Sequence, residues 1–147
     1  MIGLTLLRPG LPGVALAACV MFASPAFAEM VSFKADLKAS EEVPPNDSKA
    51  TGTVTATYDT ASKKLTWKGN YSGLTGPATM AHFHGPAEPG KNAGVAVPIT
   101  PSASPFENSA NLTDAQAADL LAGRWYVNVH TGAHPGGEIR GQLVKGM

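Results

Sequence analysis

The stretch TGTVTATYDTASKKLTWKGNYSGL, residues 51–74, decides the fold. It holds two runs in which apolar and polar residues alternate. Val54, Ala56 and Tyr58 fall on one face of the first run, and Thr53, Thr55 and Thr57 on the other. Leu65, Trp67, Gly69 and Tyr71 share one face of the second. A period of two sends alternate side chains to opposite faces of a strand, and β-branched threonine suits the wet face. The polar DTASKK between the runs supplies the turn. Residues 51–58 and 64–71 therefore read as a β-hairpin.

The same alternation extends outward. SFKADLKA, residues 32–39, sets Phe33, Ala35, Leu37 and Ala39 against Ser32, Lys34, Asp36 and Lys38. The SEEVPPNDSKATG that follows reads as a loop. In it, Glu41 and Glu42 beside two prolines read as solvated, or Glu42 caps or pairs with a neighbouring strand. ATMAHFHG (78–85) and RWYVNVH (124–130) read as strands, and Trp125, Val127 and Val129 oppose Tyr126, Asn128 and His130. GVAVPIT (94–100) is an edge strand because Pro98 cannot donate to a ladder. LTDAQAADLLAG (112–123) is the one helix, with Thr113 as cap, Gln116 completing a capping box and Gly123 ending it. EIRGQLVKG (138–146) closes the chain. The expected architecture is all-β: an antiparallel β-sandwich with Greek-key-like connections and one short helix.

The first 28 residues read differently. Arg8, an apolar run from about Leu11 to Phe22, and Ala26-Phe27-Ala28 make a secretory signal peptide cleaved before Glu29. Leu16-Ala17-Ala18-Cys19 is an alternative processing signal that would lipidate Cys19. The expected product is a periplasmic or secreted domain, residues 29–147, with no membrane span. It keeps no cysteine, because Cys19 is the only one, so a metal would need nitrogen, oxygen or methionine ligands. The 147-residue chain carries 11 Lys and Arg against 11 Asp and Glu. That balance, with no basic run, argues against nucleic acid as a partner.

All four histidines lie in two short segments, MAHFHGPAEPG (80–90) and NVHTGAHPGGE (128–138). On a strand, His82 and His84 project together about 7 Å apart. His130 ends a strand, and His134 lies in a glycine- and proline-rich loop that curls back. His82, His84, His130 and His134 are the candidate ligands of one ion. Imidazole-rich ligation favours copper or zinc over magnesium or calcium. Met80, on the His82–His84 face, is a soft ligand candidate for Cu(I) or, alternatively, a core or rim residue. Asn128, Glu138 and Arg140 are candidates to orient the imidazoles; alternatively, Glu138 and Arg140 pair with each other across the surface.

FKADLKASEEVPP, ATGTVTATYD, LTWKGNYSGL, MAHFHGPA, GVAVPI, LLAGRWYVNVHT and HPGGEIRGQL occur in the order of a CHRD domain, the module named from chordin. The chain resembles that family over about residues 31–144. The resemblance implies a β-sandwich-like domain outside the cytoplasm and no particular chemistry. HFHG followed much later by HPGGEIRG is also similar to the histidine arrangement of copper-zinc superoxide dismutase. The chain departs from that pattern in having no disulfide pair, no zinc-loop aspartate and no clear bridging histidine.

Three function classes follow. The first is an exported protein that binds one transition-metal ion, copper before zinc, through the four histidines. The second is a protein- or glycan-binding module that uses the loops EEVPPNDSK and GPAEPGKNAG without metal. The third is a copper redox enzyme. Catalysis without a metal has little support: Gly-x-Ser-x-Gly, a P-loop, a catalytic cysteine and a dinucleotide fingerprint are all lacking.

Overall fold

The computed structural model describes residues 27–146. The expected signal peptide, apart from Phe27 and Ala28, and the Cys19 alternative lie outside the described residues. The strands are β1 (Met30–Lys38), β2 (Thr51–Asp59), β3 (Lys64–Ser72), β4 (Ala78–His84), β5 (Val95–Pro98), β6 (Phe106–Asn111), β7 (Tyr126–Thr131), β8 (Ile139–Gln142) and β9 (Val144–Lys145). The helix α1 spans Asp114–Leu121.

The hairpin read from residues 51–74 is present. β2 and β3 pair antiparallel from Thr51↔Ser72 to Asp59↔Lys64. β1 lies on the other side of β2, from Met30↔Asp59 to Lys38↔Thr51. Burial follows the alternation: Phe33, Ala35, Leu37, Val54, Ala56, Tyr58, Leu65 and Trp67 are buried.

The fold is all-β, and its strands make one sheet rather than two. The order is β5-β4-β7-β8-β1-β2-β3-β6, with β9 added to β1. This sheet rolls over on itself, so that Trp67 on β3 meets Phe83 on β4 edge to face, with ring centroids 5.1 Å apart. The inward residues of both halves, among them Phe83, Val127, Val129 and Ile139, form one core.

Strand β6 is the element the hydrophobic pattern does not reveal. FENSAN buries only Phe106. Its pairing with β3, from Lys64↔Asn111 to Gly69↔Phe106, supplies the backbone bonds its composition does not advertise. The Pro98 strand is an edge, as proline requires. The helix has both halves of its capping box, Thr113 Oγ1 accepting from the Gln116 N–H and Gln116 Oε1 from the Thr113 N–H. Gln116 Nε2 also donates to the Ala96 carbonyl at 3.0 Å, which covers part of the β5 edge.

Candidate metal site

Strand β7 builds the site. All six of its residues are buried. Trp125, Val127 and Val129 enter the core, which sends Tyr126, Asn128 and His130 to the opposite face. β4 and β8 flank it, with His82↔Asn128 and His84↔Tyr126 on one side and Asn128↔Arg140 on the other. Cross-strand neighbours on one face stand about 5 Å apart, so this face collects His82, His84, Tyr126, Asn128, His130 and Arg140. Loops cover it, and the result is a buried polar layer on the far side of the strand from the core.

His82, His84 and His130 each place a ring nitrogen within 4.8 Å of the others. His84 and His130 are buried and His82 is half-buried. Their tautomers follow from their partners. His84 Nδ1 donates to the Ala93 carbonyl at 2.9 Å, and His130 Nδ1 donates to the Pro135 carbonyl at 2.9 Å. Each Nε2 therefore carries a lone pair and no proton, as metal ligation requires. His130 Nε2 faces His82 Nδ1 at 3.2 Å. That separation is a hydrogen bond in the free protein. It also matches the roughly 3.3 Å edge between two nitrogens bound to one tetrahedral zinc. His84 Nε2 is buried with no hydrogen-bond partner among the described residues. The donor set fits a borderline or soft-accepting divalent metal.

Electrostatics favour the neutral form of His82 and His84. Burial pushes the His82 pKa below its usual value, and the neighbouring His130 and His84 add to that. Burial also lowers His84, against the pull of the Ala93 carbonyl. A neutral imidazole is the ligating form.

His134 is not in this group. Its backbone closes the turn after β7: its carbonyl accepts from Thr131 and Gly137, and its N–H donates to the Thr131 carbonyl. The turn so formed presents the Pro135 carbonyl to His130. Met80 pairs with His130 across β4 and β7 and is half exposed.

Asn128 lies within the layer, beside His84. Arg140 does not pair with Glu138 across the surface, because both are buried. Its guanidinium sits 3.4 Å over the Tyr126 ring and donates to Asn92 Oδ1 at 2.8 Å and to the Lys91 carbonyl. Tyr126 stacks in turn on His84, 4.8 Å between centroids and 4° from parallel. Arg140 thus presses Tyr126 onto a candidate ligand. The loop Gly85–Gly94, read as a contact loop, walls the site through Lys91, Asn92 and Ala93.

Glu138 faces away from the imidazoles. It accepts from Ser48 Oγ at 2.6 Å, Thr75 N at 2.9 Å, Thr75 Oγ1 at 2.8 Å and Thr131 Oγ1 at 2.6 Å. Burial alone would raise its pKa, but these donors hold it at about 2. It is a clasp joining β7, β8 and two loops.

Glu42 is the residue the pattern misplaces. It is 5 % exposed rather than solvated. The 3-10 turn Ala39–Glu41 swings the chain back under β8, and Glu42 enters the layer against Gly137 and Asn128. Burial pushes its pKa up to about 7 despite Arg140 and Asn128. Two prolines next door hid this, since burial there is set by the turn and not by local hydropathy.

The CHRD-domain family matches residues 33–143. The chain belongs to that family. The match runs from Phe33 in β1 to Leu143 after β8, so most of β1, all of β2 to β8, the polar layer and the three convergent histidines lie inside the CHRD domain. No curated protein and no solved structure matches the chain. Among the described residues, no helix is long and apolar enough to cross a membrane.

Proposed function

We propose that this CHRD domain works outside the cytoplasm and binds one transition-metal ion, copper in preference to zinc, through His82, His84 and His130. The observation that supports the reading is the convergence of three imidazoles within 4.8 Å, two with their Nδ1–H held by backbone carbonyls. Second contacts of that kind fix a metal-binding imidazole in its ligating tautomer. Three nitrogen donors bind copper(II) more tightly than the other divalent first-row ions. Export rests on the leader read in residues 1–28. Three protein ligands leave a coordination position for water, for His134 after movement of its turn, or for a small ligand. The reading is of binding, and no catalytic step is assigned.

The test is retention of metal. The protein, purified without a histidine tag, is loaded with Cu(II) or Zn(II), desalted and assayed by mass spectrometry. About one ion per chain is expected, and none in the folded His82→Ala, His84→Ala double variant. Equal retention by that variant, or none by the wild type, would refute the reading.

A further inference from the structure

Three buried polar atoms in the layer have no hydrogen-bond partner among the described residues: His84 Nε2, Asn128 Oδ1 and Glu42 Oε1. Their residues are 8 %, 3 % and 5 % exposed. They are neighbours. The Asn128 amide stands between the His84 ring and the Glu42 carboxyl and interacts with both. Gly137 makes the approach possible, because a Cβ there would collide with both Glu42 and Asn128.

The tautomer of His84 makes this row informative. Its Nδ1–H is committed to Ala93, so Nε2 is an acceptor. Asn128 Oδ1 is also an acceptor, so the ring lone pair has no donor while the amide NH₂ points to Glu42 and the Gly136 carbonyl. The alternative orientation turns the NH₂ to His84 and the oxygen to Glu42. That orientation requires a donor on Glu42, namely its own proton. The amide therefore ties two events together. When His84 Nε2 gives its lone pair to a metal, the NH₂ is released to the carboxylate, and the carboxyl proton leaves to solvent.

We propose that Glu42 is the buried counter-charge of the metal site, coupled to His84 through Asn128, and that it loses its proton when the metal binds. The proposal rests on the metal-binding reading above. Glu42 acts as a positioning residue and does not touch the ion. The other charged groups around it are consistent with this role. Arg140 on β8 faces it and balances one negative charge. Glu138 is turned away into its own hydrogen bonds, Glu41 is exposed, and Lys91 reaches the layer by its carbonyl. A divalent cation at the histidines adds positive charge to a layer that already holds Arg140, and an ionised Glu42 offsets it. With a pKa near 7, Glu42 is mostly protonated at pH 6 in the free protein.

The experiment is calorimetry of Zn(II) binding at pH 6 in buffers of different ionisation enthalpy, which counts the protons released. The wild type should release about one proton more per metal than Glu42→Gln, and the variant should bind about 10-fold or more weakly. A difference in proton count near zero would overturn this proposal while leaving the metal reading intact. A wild type that binds no metal would overturn both. Should Glu42→Gln fail to fold, the wild type decides alone: the ¹³C resonance of the Glu42 carboxyl at pH 6 should pass from its protonated to its ionised position on adding Zn(II), and an unmoved resonance would overturn the proposal.

Discussion

Replacing Glu138 with Gln should cost about 3 kcal/mol at pH 7, because its pKa drop from 4.5 to about 2 is worth roughly 1.4 kcal/mol per unit. Four donors converge on its two carboxylate oxygens, from Ser48, Thr75 and Thr131. Gln keeps the volume but places an NH₂ against donors, and the charge that strengthens each bond is gone. The sign of the pH dependence follows. The folded protein holds this carboxylate ionised far below the value of the unfolded chain, so the stabilisation is present above pH 4.5. It is lost as pH falls from about 4.5 towards 2. The assay is urea unfolding followed by fluorescence of the two tryptophans, both buried, at pH 7 and at pH 2.5. Wild type and variant should differ by about 3 kcal/mol at pH 7, and by much less at pH 2.5. A cost below about 1 kcal/mol at pH 7, or a gap that persists unchanged in acid, would refute the reasoning.

His134→Ala should retain the metal held by the wild type, since its ring lies outside the group of three; loss of the ion in metal analysis would place it among the ligands. Gly137→Ala should destabilise by about 2 kcal/mol or more, because its φ of 130° disfavours a side chain and the added Cβ would strike Glu42 and Asn128. Denaturant unfolding measures this, and a neutral result would mean that the layer is loosely packed.

The β1–β2–β3 meander was legible because one of its faces is wet and the other is core, so alternation survives in the sequence. The helix was legible from Thr113 and Gln116 for the same reason: its signal is local. The convergence of three histidines at the candidate site was legible from His-x-His spacing and from the parity of RWYVNVH. His134 was not separable from them, since a loop imposes no parity and only the fold shows that its turn serves by its backbone. β6 escaped because an edge strand owes its pairing to β3 and not to its own side chains. The burial of Glu42 and Glu138 was not legible for a different reason. A carboxylate reads as a surface residue, and its burial is licensed by distant donors at Ser48, Thr75, Thr131 and Asn128 that no local pattern connects.

The period of two in β7 separates the two demands on the domain. Trp125, Val127 and Val129 hold the rolled sheet together, while Tyr126, Asn128 and His130 are buried on the opposite face, outside the apolar core cluster. Burying His84, Asn128, Glu42 and Arg140 in one layer is costly unless each polar group is partnered. Arg140 meets that condition through Tyr126, Lys91 and Asn92, but His84 Nε2, Asn128 Oδ1 and Glu42 Oε1 do not. A core selected only for stability would replace that row with apolar side chains, since well-packed apolar groups match or exceed a half-satisfied polar set. The row instead leaves a lone pair aimed beside two others, with a carboxyl one amide away. On the metal reading proposed above, a cation would give His84 Nε2 the partner that the protein alone does not provide.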